Sequence, residues 1–375
     1  MRVNKLVLLA LLSLIELSYQ FIVYDESLAS CQAFAQMFDN TCDPQATPTT
    51  LGSTISEKKT CNFVSENFPQ ANLYRKLCAT CSSENDQVII RIQSNGLPNH
   101  CVYWGDDTGV SANIDFKVNW NKKMSINSTN YSPATQTDLD TLICKANWPS
   151  VLPEYSQFTN MISSQPADLD EFVGIALNGV LLSSGFSTLN MNVDPIFPIE
   201  YDQVTNINDA KEMGDTCLTS VHNGNNYHHY HIISPCILDS DLQAKSQQVA
   251  CFMDSGCSDN LIQYSKAQKL KTLMPIGIAK DGHPIYGPYN SQGKLWQPCD
   301  VDICNGVFLG DQYAYVATMF HPYFIGCWGP GNKPMLSQSC SANPRKCSNS
   351  KLGISHSYII MVLTVGFTLI NLLIN

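Results

Sequence analysis

Sixteen cysteines in 375 residues are the feature that most narrows what this chain can become. An even, large set of thiols persists as cystines in secreted proteins, and in a reducing compartment it would demand several metal centres. The first residues agree with secretion. Arg2 and Lys5 precede an apolar run from Leu6 to Ile15, broken only by Ser13, which is the layout of a signal peptide over residues 1–20. Cys78-Ala79-Thr80-Cys81 has the spacing of a redox or zinc motif. In an oxidised, evenly counted set it reads instead as two structural half-cystines.

The C-terminal sequence points the same way. Tyr358 to Ile374 is apolar apart from Thr364, Gly366, Thr368 and Asn371, and carries no charge. Upstream lie the small residues Ser348, Asn349 and Ser350, followed by a short spacer. Small triplet, spacer and uncharged tail form the pattern of a GPI attachment signal over residues 351–375, with one of the three as the lipid site. A membrane-spanning helix without a basic cytoplasmic flank is the alternative. Asn127-Ser128-Thr129 and Asn130-Tyr131-Ser132 are adjacent glycosylation sequons, so Asn127 and Asn130 are candidate glycan sites. A formal net charge of −10 excludes nucleic acid as the expected partner, because phosphate binding draws on clustered Lys and Arg. The expected partner is the membrane, reached through the C-terminal anchor, on the extracellular face of the cell.

Between these ends the texture divides. Residues 21–86 hold five cysteines, and Leu28, Cys31, Phe34, Ala35 and Phe38 share one helical face behind a capping Ser27. A second helical stretch is expected at Asn72–Cys78, so the region reads as a small helical, cysteine-rich N-terminal cap. From residue 87 to 331 the signals are strands. Val88 to Ile92 is β-branched and runs into Asn95-Gly96. Gly174-Ile175-Ala176-Leu177-Asn178-Gly179 recurs 103 residues later as Gly277-Ile278-Ala279-Lys280-Asp281-Gly282. Both put Asn-Gly or Asp-Gly between apolar runs, the strongest local signal for a hairpin, and the likeness suggests a duplication. The expected fold is therefore mainly β, a β-rich, sandwich-like ectodomain with hairpins, followed by a Pro- and Ser-containing stalk over 332–350.

Half of the eight histidines fall between His222 and His231. On a strand His229 and His231 point to one face and His228 to the other. Two imidazoles on one face can chelate copper or zinc, with His222 returning from the preceding turn as a third ligand. The plainer reading is a polar strand whose imidazoles bond to backbone carbonyls. There is no G-x-S-x-G elbow, H-E-x-x-H pair or P-loop in the sequence.

Around this cluster the chain resembles the YHYH family. That tetrapeptide falls on His228-His229-Tyr230-His231, with His228 in place of the family's first tyrosine. Ser94–His100, Phe172–Val180, Ile276–Tyr289, Cys304–Gly306 and His321–Cys327 resemble the family's other segments in order, and His283 stands where an aromatic is usual. The resemblance implies a secreted or surface domain, over about residues 88–331, without an established activity. Two function classes stay open. One is a non-enzymatic surface protein with a binding or structural role. The other is a metal-dependent extracellular enzyme or metal-handling protein using His222, His229 and His231.

Overall fold

The computed structural model describes residues 23–43, 55–62, 70–103, 109–123, 172–183, 186–187, 194–195, 215–221, 226–238, 251–258, 264, 271–297, 300–302, 304–319, 323–325 and 328–331. The signal segment, His222, both sequons, the stalk and the attachment triplet lie outside them. Among the described residues no helix is long and apolar enough to cross a membrane.

The fold is mainly β, with a short helix near the N-terminus. Helix α1 (Leu28–Ala35) starts where expected: the Ser27 hydroxyl accepts the Ser30 N–H at 3.2 Å and satisfies one of the donors a first turn leaves unpaired. The second expected helix is absent. Its residues divide between β2 (Gln70–Arg75), which pairs with β1 (Glu57–Asn62), and β3 (Leu77–Glu84). Packing decides against the local helical preference here, because Leu73 and Arg75 are buried while Asn72 and Tyr74 are exposed, a period of two. The N-terminal region is thus mostly strand. Its expected limit at residue 86 falls inside a tight turn. Asn85 and Asp86 take positive φ of 48° and 61° and connect β3 to β4 (Gln87–Ser94), so one three-stranded sheet, β3-β4-β5 (Ile114–Asn119), runs across it.

Disulfides hold this region together. Cys31–Cys81 ties α1 to β3, Cys42–Cys78 ties the segment after the helix to the same strand, and Cys61–Cys101 ties β1 to the chain beyond β4. The C-x-x-C cysteines are half-cystines with separate partners, as expected, and no described cysteine is free. Phe34 packs on Trp120, Tyr24 and Phe38 at ring separations of 4.8, 5.1 and 5.6 Å, closing the helix over the sheet.

The second sheet has eight strands in the order β10-β11-β7-β6-β12-β13-β15-β14. They are β6 (Phe172–Ala176), β7 (Leu181–Ser183), β10 (Thr219–Ser220), β11 (His229–Tyr230), β12 (Pro275–Ala279), β13 (Pro284–Tyr286), β14 (Gly306–Leu309) and β15 (Gln312–Val316). A small ribbon, β8 (Phe186–Ser187) with β9 (Asp194–Pro195), stands apart from both sheets.

The strand order is a palindrome. Two hairpins, β6-β7 and β12-β13, meet at the centre. Each continues outward through a parallel neighbour, β11 or β15, to an antiparallel edge, β10 or β14. The central pairing aligns Gly174 with Ala279, Ile175 with Ile278 and Ala176 with Gly277, so a local dyad passes through the two isoleucines. Both hairpins carry an irregularity at the same place, Phe172/Gly174 and Pro275/Gly277. Both turns put a glycine at positive φ, Gly179 at 88° and Gly282 at 91°, as a three-residue loop with a left-handed final position requires. The cross-bonds are reciprocal: Leu177 N–H donates to Ile276 O at 2.8 Å and Lys280 N–H to Val173 O at 2.9 Å. The two turns then rest on the three-stranded sheet, Gly179 against Leu77 and Ser94, and Gly282 against Asn119.

Candidate functional site

The dyad assigns each residue of the histidine segment a counterpart. Tyr230 pairs with Leu182 as Tyr315 pairs with Ile285, so His228, His229 and His231 correspond to Tyr313, Ala314 and Val316. The two tyrosines are what the halves share. Tyr230 is fully buried, and its hydroxyl accepts the Asn178 amide at 2.9 Å. Tyr315 is also fully buried and donates to Asp281 Oδ2 at 2.7 Å, while accepting the Gly329 N–H at 2.9 Å. Asn178 and Asp281 are the equivalent turn residues, so each tyrosine pins its own hairpin turn.

A second shared element escaped sequence reading. Asp215 Oδ1 accepts the N–H groups of Cys217 and Thr219, both at 2.8 Å. Asp302 Oδ1 accepts those of Cys304 and Gly306, at 2.9 and 2.8 Å. The residue inside each loop, Leu218 or Asn305, has positive φ, 61° and 69°. Cys217 pairs with Cys236, and Cys304 is also disulfide-bonded. The sequence signal is D-x-C-x-T against D-x-C-x-G, 87 residues apart. Burial raises the Asp215 carboxyl to about 7 and the Asp302 carboxyl to about 6, with the backbone donors pulling the other way.

The halves part around these aspartates. Tyr313 donates to Asp302 Oδ2 at 2.8 Å, and its hydroxyl occupies space that a Cβ at Gly306 would need, at a separation of only 1.8 Å. In the first half Thr219 stands in the glycine's place and His228 in the tyrosine's. The threonine hydroxyl bonds to His100 Nε2 at 2.9 Å. His228 is fully buried with neither ring nitrogen hydrogen-bonded, and Asp215 Oδ2 has no hydrogen bond either. Burial, and after it a neighbouring imidazole, lowers both His100 and His228 to about 3.

His229 and His231 leave the strand on the opposite face and come together. Their rings are perpendicular, with centroids 4.6 Å apart and Nε2 atoms 3.0 Å apart. His229 is buried, packs on Phe172, and its Nδ1 lies 2.7 Å from Tyr227 O. A carbonyl can only accept, so His229 Nδ1 carries the proton and Nε2 a lone pair. His231 Nε2–H then donates across the 3.0 Å gap. His231 is half-buried and its Nδ1 has no partner. Burial, then the adjacent imidazole, holds His231 well below the usual histidine range.

Of the three expected ligands the structure thus brings His229 and His231 together, while His222 lies outside the described residues. Among the described residues no group of three His, Cys, Asp or Glu is placed to hold a metal ion. His283, the other departure from the family pattern, is an anchor: its Nε2 lies 3.0 Å from Lys122 O and its Nδ1 3.1 Å from Asp281 Oδ2. Burial opposes its protonation, but the Asp281 carboxylate and the Lys122 carbonyl raise its pKa overall.

A family model described as YHYH protein matches residues 153–295, which takes in the first half of the large sheet and the β12-β13 hairpin. No curated protein and no solved structure matches the chain. On that match, and on the motif residues now placed on and beside β11, the chain carries a YHYH-family domain.

Proposed function

We propose that this is a secreted glycoprotein held at the cell surface, whose YHYH domain has a non-enzymatic binding role. The supporting observation is what the fold does with its acid–base side chains. Asp215, Asp302, Tyr230, Tyr313 and Tyr315 are each 5% exposed or less, and their bonds run to loops of the same chain. Groups committed in that way stabilise turns and present no nucleophile or proton donor to a substrate. The paired cysteines support the oxidising compartment. Glycans at Asn127 and Asn130 and a lipid on Ser348, Asn349 or Ser350 complete the reading. Phosphatidylinositol-specific phospholipase C should release the protein from intact cells. Retention under conditions that free a control lipid-anchored protein would overturn the tether.

A second reading, metal handling at the surface, is favoured by the facing Nε2 atoms of His229 and His231. The second half builds the same strand with Ala314 and Val316, so the imidazoles exceed what the fold requires. Elemental analysis of the purified protein tests it: stoichiometric metal supports the reading, and a metal-free, fully folded protein that takes up neither copper nor zinc removes it.

A further inference from the structure

One turn of the central dyad is charged and the other is not. The first half has Asn178, Gly179 and Val180 where the second has Asp281, Gly282 and His283. Both backbones close the same loop, with Ala176 N–H donating to Val180 O and Ala279 N–H to His283 O, each at 2.8 Å. The loop itself therefore needs neither charge. A buried ion pair is often no more stabilising than apolar side chains of its size, so the pair at 281 and 283 adds something other than a turn.

Its geometry calls for a proton. Asp281 Oδ1 accepts the His283 N–H at 3.1 Å and Oδ2 the Tyr315 phenol at 2.7 Å, with His283 Nδ1 3.1 Å from the same Oδ2. Across the ring, Nε2 lies 3.0 Å from Lys122 O, which can only accept. An imidazole between two acceptors satisfies both only with both nitrogens protonated. Ring and carboxylate are 1% and 3% exposed. From β15, Tyr313 and Tyr315 meet the ring edge-on, and burial holds both phenols neutral, well above their ordinary range. Asp302 is engaged by Tyr313, Lys123 pairs with Asp311, and Lys280 is buried in the turn. The carbonyl that the ring holds lies in a junction. Asn121 N–H donates to Gly282 O at 3.0 Å, its side-chain amide to Tyr24 O, and the Trp120 indole to Asp25 O at 2.7 Å. The end of β5, the segment before α1 and the β12-β13 turn thus meet beside His283.

We infer that His283 and Asp281 form a proton-operated latch on this junction. While the ring carries both protons, it clips Lys122 O to the β12-β13 turn. When one proton leaves to solvent, the other stays on Nδ1 against the carboxylate. Nε2 then turns a lone pair on the Lys122 carbonyl, and the 121–123 segment loosens. Burial opposes the charge, but the Asp281 carboxylate and the Lys122 carbonyl raise the ring above its ordinary 6.5. The clip is therefore complete below pH 6.5 and is lost as pH rises through the raised value. Mildly acidic surroundings close the latch and alkaline ones open it.

The experiment follows the full mature protein, with nitrogen-15 in its histidines, by nuclear magnetic resonance and amide hydrogen exchange across pH 6 to 9.5. We expect His283 to carry two ring protons at pH 6 and to titrate to the Nδ1–H form. Over the same range the protection of the Asn121 amide, corrected for the intrinsic exchange rate, should fall at least tenfold. The Leu177 amide, which donates to Ile276 O beside the uncharged turn, is the internal control and should keep its protection. His283→Val, which copies the first half's turn, should make Asn121 protection independent of pH. Asp281→Asn should move the loosening down by at least one pH unit. A singly protonated His283 at pH 6, or a ring that does not titrate by pH 9.5, would overturn the latch. So would a ring that titrates while Asn121 protection stays flat, or a pH-dependent loss that survives in His283→Val. The wild-type titration decides the matter even if neither variant folds.

Discussion

The two halves of the eight-stranded sheet answer the same packing problem with different side chains. Around Asp302 the second half uses a large residue opposite none: the Tyr313 ring reaches the carboxylate because Gly306 has no Cβ. Around Asp215 the first half splits the volume between Thr219 and His228, and the carboxylate loses its phenol. The backbone bonds of the two aspartate loops agree within about 0.1 Å all the same. The loop depends on the Asp, the left-handed residue after the cysteine and the buried tyrosine two residues further along the partner strand. The rest is free to vary in compensating pairs. Position 228 belongs to that freedom, which is how the first tyrosine of the family motif can be a histidine here.

The largest expected effects lie at the dyad. A Cβ on Gly174 would come within 2.4 Å of Ile278 O, and one on Gly277 within 2.4 Å of Ile175 O. Both obstacles are backbone and cannot move aside. Gly174→Ala and Gly277→Ala should each destabilise by more than ~3 kcal/mol, by similar amounts, read as lower urea midpoints or loss of folded protein. Tolerance of one but not the other would break the symmetry.

Next come the compensating pairs. Gly306→Thr pushes a side chain into the Tyr313 hydroxyl and should cost about 2–4 kcal/mol. His228→Tyr alone should also destabilise, by about 1–3 kcal/mol, because Thr219 holds the hydroxyl's space. Thr219→Gly with His228→Tyr should recover at least half of that loss. A double-mutant cycle with coupling below ~0.5 kcal/mol would mean that the two positions vary independently.

Smaller differences separate the tyrosines. Tyr315→Phe takes the phenol donor from the buried Asp281 carboxylate, leaving it His283, and strands the Gly329 N–H, so it should cost about 2–3 kcal/mol. Tyr230→Phe removes only neutral bonds, with the Asn178 amide and the Ser234 and Thr219 hydroxyls, and strands no charge, so it should cost less, about 1–2 kcal/mol. Equal losses would place the hydroxyls' value in shape rather than bonding.

The gentlest effect is in pH slope. Asp215 and Asp302 have folded-state values above the unfolded ~3.9, so the folded form holds their protons longer. Their contribution is therefore fully present below about pH 3.9 and is lost as pH rises, through about 6 for Asp302 and about 7 for Asp215. Each can supply at most about 1.4 kcal/mol per pH unit. His100 and His228, depressed to about 3, oppose this by losing stability as pH falls below ~6.5. Subtracting the curve of Asp215→Asn from the wild type cancels the histidines. The difference should fall as pH rises from 4 to 7, and a flat difference would deny the shift at Asp215.

Much of this was legible in the sequence. Asn178-Gly179 and Asp281-Gly282 mark hairpins because few other residue pairs adopt that turn, and Ser27 marks a helix start because its hydroxyl satisfies an orphan donor. Asn72–Cys78 misleads because its helical composition is overridden by burial of alternate residues, which only the paired β1 strand and the core supply. The repeat was visible, but not that its copies face each other, since register comes from the glycines that let two backbones touch. The aspartate loops carry a legible pattern that local reading passes over, because both copies must be set side by side. The exchange of Thr219 and His228 for Gly306 and Tyr313 is not legible at all: it joins residues on neighbouring strands. Of the histidine site, alternation predicts that His229 and His231 share a face, while the Tyr227 carbonyl that sets the tautomer follows from the backbone alone.

The bridges Cys31–Cys81 and Cys42–Cys78 are nested, with both later cysteines on one strand. The chain between Cys42 and Cys61 can therefore be cut without releasing what precedes it. A protein nicked there would migrate as one species before reduction and as two after it. The N-terminal helix would stay seated on its sheet through bonds that no dilution reverses. At the proposed cell-surface location, cleavage and loss would become separate events, and the second would wait on a reductant.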